Sequence, residues 1–452
     1  MSAPASGSPL SRDAVASHPL QEGVPVDSPS TSEPQTPVKE ATFPSSFRRR
    51  AIGEVPGSLE GVAQLAREGA WRSILVKFKE RAEAGPPAEQ LVWQTWNVLA
   101  LVKLRMYGAA ADELRSIGDI SSPRFRYEEH PGEYPERSGS FVPFALRWLH
   151  AELPHRLGQA GATMDRLYSL LELCKVEVAR RSAAVPGGAA LLAGDNAAPG
   201  DWLAASDVGV SGREDFLTGE LAGLSISGER PETDSTGLLG DADASSGAPP
   251  STSGAAEVRT WRRRQEVVLL SILNLHLQQR DFAAALSWLH ALLRQRGKDP
   301  HVWAMLGCVQ LQMGDLEAAR ATFTRSEQLM GDAAQSSLLL HRNRGLLHFA
   351  LKNYSAALEE WDLILVAQPW NAVAANNKAL CLMYSRDLVG AIAVLERTLR
   401  EHPLQALNET LVLNLASMYE LASSNAAELK RTLSAWISKI APDDFDILCT
   451  RT

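Results

Sequence analysis

The sequence predicts an all-α fold made of repeated antiparallel helix pairs. Apolar residues recur at intervals of three and four along most of the chain, which is the spacing of one helix face. In addition, one pattern of bulky and small residues returns in the same register several times between residues 257 and 403. Helices that repeat in register bury their apolar faces by stacking on one another, so the pattern indicates an α-solenoid.

The register is clearest in residues 301–326. Bulky side chains stand there where two helices of a pair would meet, while Gly307 and Ala319 stand where the helices would cross closely. The counterparts of Ala319 in the other units, at steps of 34, 38 and 34 residues, are Ala285, Ala357 and Ala391. A step of about 34 residues is typical of the tetratricopeptide repeat, a helix–turn–helix unit. The sequence therefore predicts four such repeats.

The N-terminal half divides into two parts. Residues 1–46 are rich in Pro, Ser, Thr and Ala and carry almost no apolar periodicity, so we expect a disordered tail. Residues 47–181 regain helical spacing, interrupted at residues 121–143 by a polar loop that contains four prolines. Because Tyr107 and Ala110 repeat the spacing of the later units, this region is predicted to hold degenerate helical hairpins.

A long insertion opens the C-terminal half. Residues 182–256 are rich in Gly, Ala, Ser, Pro and Asp, and a stretch of this length without periodicity is abnormal inside a compact domain. We therefore predict a disordered acidic insertion. Residues 257–441 hold the four repeats and a final eroded helix pair that would cap the stack. Residues 442–452 are interpreted as a short acidic tail.

The acidic excess is confined to the insertion. The chain carries a net charge of −8, and residues 182–256 hold eleven Asp or Glu against two Arg, a balance of 2 − 11 = −9. The basic face that nucleic-acid binding requires is therefore not indicated. No run approaches the roughly 20 apolar residues of a membrane span, and the N-terminus lacks the regions of a secretory signal. We expect a cytoplasmic protein whose contact with membranes is indirect.

The sequence offers no set of residues typical of catalysis, so an enzyme is not expected and no cofactor is predicted. Glycine-rich phosphate loops, HExxH and GxSxG are absent. His341 and His348 share a helix face but have no Cys or carboxylate companions at ligand spacing, so no metal site is predicted. The four cysteines are scattered without a CxxC pair, which is typical of reduced thiols.

One basic cluster surrounds an aromatic residue. It consists of Arg259, Arg262, Arg263 and Arg264 around Trp261. Two interpretations stay open: a surface that binds an acidic partner or a phosphate, and the solvated start of the first repeat helix.

A repeat stack of this kind offers a groove lined by the first helix of each pair. By analogy with tetratricopeptide repeats, the polar candidates for binding a protein segment there are Asn274, Arg342, Asn343 and Asn376. A carboxylate clamp for chaperone tails is disfavoured, because Leu270 and Ala304 stand where that clamp needs a lysine. The remaining groups suit an extended peptide or a partner helix.

Several segments resemble a known family. They are FVPFALRWLHAELPHRLG, RNRGLLHFALKNYSAALEEW, NAVAANNKALCLMY and NETLVLNLASMYEL. Together they resemble the subunit-12 family of the trafficking protein particle (TRAPP) complex, a tetratricopeptide-repeat family, over about residues 47–440 without the insertion.

This resemblance implies a non-catalytic scaffold subunit of a multisubunit vesicle-tethering complex. Such a subunit would act in transport from the endoplasmic reticulum to the Golgi, bind other subunits through its repeat surface, and associate peripherally with those compartments. The alternative is a free-standing peptide-binding adaptor, such as a co-chaperone. That alternative depends on the polar groove, whereas the first depends on the family resemblance.

Overall fold

Helices account for the regular secondary structure of the residues that the computed structural model describes, namely 55–81, 85–184, 251–331 and 337–450. These ranges hold sixteen α-helices and three short 3-10 helices, and their one β-contact is an isolated bridge between Arg126 and Ser140. The predicted all-α class is confirmed. The disorder predicted for residues 1–46 and for most of 182–256 concerns residues outside the described ranges.

Six helices form the N-terminal part of the described fold. Their apolar faces share one core, whose fully buried members include Trp96, Leu99 and Trp148. The helices are α1 (Leu59–Arg67), α2 (Trp71–Glu80), α3 (Pro87–Lys103), α4 (Tyr107–Ile117), α5 (Phe144–Arg156) and α6 (Ala160–Ala184).

Ten helices form the C-terminal part, and each predicted repeat corresponds to two of them. The four repeats are α7 (Ser251–Gln278) with α8 (Phe282–Gln295), α9 (Pro300–Met313) with α10 (Leu316–Met330), α11 (Leu338–Ala350) with α12 (Tyr354–Ala367), and α13 (Ala372–Tyr384) with α14 (Leu388–Glu401). The final pair is α15 (Glu409–Ala422) with α16 (Ala426–Ile440).

The two parts are joined by direct packing around α6 and α7. The indole Nε1 of Trp148 donates a hydrogen bond to Ser271 Oγ at 3.0 Å, and Val267 and Ile272 of α7 belong to the N-terminal core. The hairpins therefore continue into the repeats within one core. Both joining helices also extend into the range assigned to the insertion, because α6 runs to Ala184 and α7 starts at Ser251.

The turn inside seven of the pairs has a common geometry. One residue adopts a left-handed conformation two positions before the second helix begins, which is a common way to stop an α-helix. These residues are Gly69 (φ 67°), Arg105 (φ 60°), Gly158 (φ 81°), Arg280 (φ 57°), Gly314 (φ 83°), Lys352 (φ 60°) and Arg386 (φ 68°). The shared turn at Arg105 gives α3 and α4 the geometry of the later repeats.

Small residues set how closely two helices of a pair approach. A Cβ atom on Gly307 would lie 2.4 Å from Phe323, and one on Gly345 would lie 2.8 Å from Trp361. These glycines therefore let an aromatic ring of the second helix pack on the backbone of the first. Leu273 holds the same register position in the first repeat, so α7 and α8 cannot approach as closely.

Residues 442–450, here called the C-terminal strap, pack on the first helices of the fold. The backbone N–H of Asp443 donates a hydrogen bond to the carbonyl oxygen of Gly69 at 2.9 Å. The carboxylate of Asp443 accepts a hydrogen bond from the backbone N–H of Arg72 at 3.0 Å. The strap then ends in a 3-10 helix, Ile447–Thr450. These contacts fix a segment that the sequence analysis interprets as an acidic tail.

Ion pairs extend the contact between the strap and the N-terminal helices. Lys103 lies 3.6 Å from the carboxylate of Asp444. Arg105 lies 2.6 Å from the carboxylate of Glu409 on α15, and it also pairs with Asp446. The acidic residues at the end of the chain therefore neutralise basic residues at the end of α3.

Candidate protein-interaction surface

The predicted groove residues lie on the first helices of their pairs, but their surroundings differ. Arg342 on α11 is half-buried, and its Nε atom is buried without a hydrogen-bond partner among the described residues. Asn343 next to it is 2% exposed, and neither of its amide atoms has a partner there. An unpaired buried amide costs free energy. Asn343 therefore carries this cost within the packing of its own repeat, and it does not line an open surface.

Asn376 on α13 belongs to an amide pair that the sequence analysis missed. Asn414 Nδ2 on α15 donates a hydrogen bond to Asn376 Oδ1 at 2.7 Å. The two residues are 38 positions apart, one of the steps that separates the repeats, so the register itself was the signal that could have found Asn414. The pair leaves Asn376 only 9% exposed.

The structure does not group Asn274 with the other candidates. Asn274 is half-buried on α7, and the buried neighbours along that helix, Leu270 and Leu273, belong to an apolar cluster with residues of α8 and α9. The polar groove residues are thus concentrated on α11, α13 and α15. Whether these groups bind a protein segment remains a proposal.

Aromatic rings lie near the ends of α11 and α13. The ring centroids of Tyr354 and Tyr384 are 5.4 Å apart in a stacked arrangement, and Phe349 meets both rings edge-on at 5.7 Å. Tyr384 is 54% exposed. Exposed tyrosines supply apolar contact area together with a polar hydroxyl, which suits a protein contact.

Contacts between charged side chains link the neighbouring helices of this region. His341 Nδ1 lies 2.7 Å from a carboxylate oxygen of Glu360, which links α11 to α12. Arg344 Nη2 donates a hydrogen bond to Glu327 at 2.5 Å, which links α11 to α10. The histidine that the sequence analysis considered as a metal ligand thus has a carboxylate partner within its own repeat.

The basic cluster around Trp261 separates into a buried part and an exposed part. The guanidinium of Arg264 lies 4.5 Å from the ring centroid of Trp261, and that of Arg181 lies 4.8 Å from it. Trp261 and Arg264 are both buried, so they hold α6 and α7 together. Arg259 and Arg263 remain exposed on α7.

The fold and these surfaces define an α-solenoid of tetratricopeptide type, a class whose helix pairs present large surfaces to other proteins. The family model of the tetratricopeptide repeat matches residues 270–336. More particularly, the chain is similar to trafficking protein particle complex subunit 12 of Homo sapiens, with 28% identity over 365 residues. The alignment covers 79% of this chain and 42% of the human protein.

The protein of the same name from Mus musculus is 28% identical over 363 residues, which cover 79% of this chain and 39% of the mouse protein. These similarities confirm the resemblance seen in the sequence. The chain spans less than half the length of both relatives. No helix in the described part of the chain is both long and apolar enough to cross a membrane.

Two solved structures have a related architecture. A tetratricopeptide repeat protein from Parabacteroides merdae shares 11% identity at a TM-score of 0.33, over 69% of this chain and 99% of that one. The hetero-tetramer Cut9-Hcn1 of APC/C shares 13% identity at a TM-score of 0.31, over 80% of this chain and 55% of that one. At such TM-scores the likeness has no bearing on function.

Proposed function

We propose that this chain is a non-catalytic scaffold subunit of a vesicle-tethering complex of the trafficking protein particle kind, acting in transport from the endoplasmic reticulum to the Golgi. It holds other subunits together through the surfaces of its helix pairs. The observation that carries the proposal is the similarity over 79% of the chain to a relative named as a subunit of that complex. The helix-pair fold supports the same role, because it supplies extended surface for several partners.

An exposed apolar face on α12 supports a docking role. Leu363 is 50% exposed and Val366 is 81% exposed, and their spacing of three residues puts them on one helix face. The opposite face of α12 is also apolar, with Trp361 and Ile364 buried. A helix that is apolar on both sides is normally covered. We assign the Leu363–Val366 face to contact with another subunit of the complex.

The charges of the chain agree with an indirect attachment to membranes. The acidic excess of the whole sequence, −8, does not favour an anionic lipid surface. In the proposed function, partner subunits bring the chain to the cytoplasmic side of endoplasmic reticulum and Golgi membranes.

Purification from the cells that produce the protein tests this function. The full-length chain, tagged at its N-terminus and purified at physiological salt, is expected to bring a stable set of trafficking-complex subunits. Val366→Glu should release at least one of them, because it puts a charge into an apolar contact. Gln328→Glu is the matched control, since Gln328 is exposed at the same register position one repeat earlier. Recovery of the unmutated chain alone would end the proposal.

The second candidate function is a free-standing adaptor that binds an extended peptide. The observation that favours it is the polar groove, in which Arg342 has an unpaired buried atom among the described residues. The double variant Arg342→Ala with Asn376→Ala should then lose its partners, while Val366→Glu should keep them. The opposite result would reject the adaptor and support the scaffold.

A further inference from the structure

A cavity of about 200 Å³ lies between α7, α8 and α9. Its floor is apolar and buried, with Leu270, Leu273 and Leu289 among the lining residues. Its mouth is polar, and Lys175 of α6 and Gln295 of α8 are exposed there. The cavity is thus open to solvent on one side and closed by the first repeat on the other.

Two residues of the first repeat explain why this cavity exists. Leu273 stands where the second and third repeats have the close-packing glycines Gly307 and Gly345. Its larger side chain keeps α8 away from α7. Leu289 stands where those repeats have the large rings of Phe323 and Trp361, so less volume fills the space between the helices. The cavity therefore results from two differences from the other repeats. Leu273 is larger than the glycines at its register position, and Leu289 is smaller than the aromatic residues at its own.

The cavity is large enough for one aromatic side chain. An engineered apolar cavity of about 150 Å³ in another protein stays dry and binds benzene. The present cavity is somewhat larger, and its leucine floor is comparable, whereas polar and charged side chains stand at its mouth. An apolar group that entered it would be removed from water without displacing any group of this chain.

The charges beside the cavity favour an acidic ligand. Arg296, which lines the cavity, pairs with Glu266 in the wall and lies 3.2 Å from the carboxylate of Asp299. The charges of Arg262 and Arg263 also act on Glu266, so three arginines stand against the two carboxylates near the mouth. Arg263 lies three residues before Glu266 and Arg259 one turn earlier, so these exposed arginines follow the same face of α7 toward the cavity.

We propose that this cavity binds one bulky apolar side chain from a partner protein, on a segment whose neighbouring residues are acidic. The anchor side chain fills the space above Leu273 and Leu289, and the acidic neighbours pair with Arg259 and Arg263. The partner is chosen over a lipid or a free small molecule because Arg259 and Arg263 are one helical turn apart beside the cavity, which matches successive carboxylates along a peptide. The site goes beyond the proposed tethering role and does not depend on it.

Binding of labelled peptides to the full-length chain tests the site. The probe is a short peptide with one central tryptophan flanked by Asp and Glu, measured by fluorescence anisotropy. Replacing its tryptophan by alanine should weaken binding about tenfold or more, because the peptide would no longer bury a large apolar side chain in the cavity. A peptide with lysines in place of its acidic residues should not bind detectably, since Arg259 and Arg263 would repel its positive charges.

Two variants of the chain locate the binding to the cavity. The double variant Leu273→Gly with Leu289→Trp copies the glycine and the ring that the third repeat has at these two register positions, so the ring should fill the space without meeting Leu273. It is expected to abolish binding while the chain keeps a cooperative thermal transition, so that lost binding cannot be ascribed to unfolding. Arg263→Glu should weaken the acidic peptide at least about tenfold. Arg397→Glu, an exposed arginine on α14, is its control and should have no effect.

Three results would overturn the proposal. The first is equal affinity for the tryptophan and alanine peptides, and the second is unchanged affinity in the double variant Leu273→Gly with Leu289→Trp. The third is binding that occurs only when two neighbouring apolar residues of the acidic insertion (residues 182–256) are replaced in the full-length chain, Phe216→Ser with Leu217→Ser. That result would assign the cavity to the acidic segment of this chain itself.

Discussion

Asp443 donates its backbone N–H to the carbonyl oxygen of Gly69 at 2.9 Å, although the two residues come from opposite ends of the described fold. Gly69 adopts φ +67°, a conformation that L side chains rarely adopt, and a Cβ atom there would lie 2.5 Å from Pro442 Cβ. The backbone conformation and the close approach of the strap therefore both require glycine at this position.

Gly69→Ala is expected to destabilise the chain more than a comparable change at another left-handed glycine. Gly158 has φ +81° and no atom within 4 Å of the place where a Cβ would stand, so Gly158→Ala carries only the conformational cost, about 1–2 kcal/mol. Gly69→Ala adds the clash with Pro442, roughly 1–3 kcal/mol. Denaturant unfolding of both variants measures the difference. Equal losses of unfolding free energy in the two variants would mean that Pro442 does not lie close enough to Gly69 to clash with an added Cβ atom.

Gly307→Ala is expected to destabilise the second repeat by roughly 1–3 kcal/mol, because the new methyl group would overlap the ring of Phe323. Gly108→Ala provides the control. Gly108 lies in α4 with nothing within 4 Å of its Cβ position, so alanine there should stabilise the chain by about 0.4–1 kcal/mol. If thermal unfolding showed that both variants are destabilised, or that both are stabilised, the close crossing of α9 and α10 would be contradicted.

Asp299→Asn should remove a contribution to stability that depends on pH. Burial alone would raise the pKa of Asp299, but hydrogen bonds from His301 and the charge of Arg296 outweigh it and hold that pKa below its ordinary value. A depressed folded-state pKa contributes stability above the unfolded value of about 3.9, which is lost as pH falls through the folded value.

The difference in unfolding free energy between the unmutated chain and Asp299→Asn should therefore be about 1 kcal/mol near neutral pH and shrink below about pH 3.9. Urea unfolding across that range measures it. Asn371→Ala is the control: Asn371 caps α13 by accepting the backbone N–H of Ala374 at 2.9 Å, and its amide does not titrate. The cost of losing that cap, about 1 kcal/mol, should stay constant with pH. A difference for Asp299→Asn that grew in acid would contradict the assignment.

Deleting residues 185–250 and joining Ala184 to Ser251 with a short Gly/Ser linker should leave the melting temperature almost unchanged. The packing of α7 on α5 and α6, which includes the Trp148–Ser271 hydrogen bond, is made by residues that the deletion keeps. The closure cost of a loop grows only logarithmically with its length. Extending the deletion to 182–256 should lower the melting temperature, because it removes ends of both helices.

The repeats were predictable from the sequence because packing between neighbouring helices imposes a local signature. Ala285, Ala319, Ala357 and Ala391 are all fully buried, as their common register required. Asn414 could have been found by the same step of 38 residues. The burial of Asn343 could not be predicted, because residues next to each other on a helix differ in exposure and the groove analogy does not resolve which of them turns inward.

The contacts of the strap could not be predicted from the sequence, for a different reason. Its contacts join charged residues that are more than 300 positions apart, such as Arg105 and Asp446. Charges have no periodicity that marks a distant partner, and an acidic stretch at a chain end is compatible with a solvated tail. Long-range electrostatic contacts of this kind become visible only once the helices are placed.

The strap also changes where this chain is vulnerable. A stack of helix pairs ordinarily frays at its extremities, since an outermost pair has a neighbour on one side only. Here the outermost hairpin of the described fold, α1 with α2, packs against residues 442–450, and the contact at Gly69 forms only once those residues have been synthesised. A nascent or prematurely stopped polypeptide that lacks residues 442–450 would therefore expose its first hairpin to proteases, far in sequence from the missing segment.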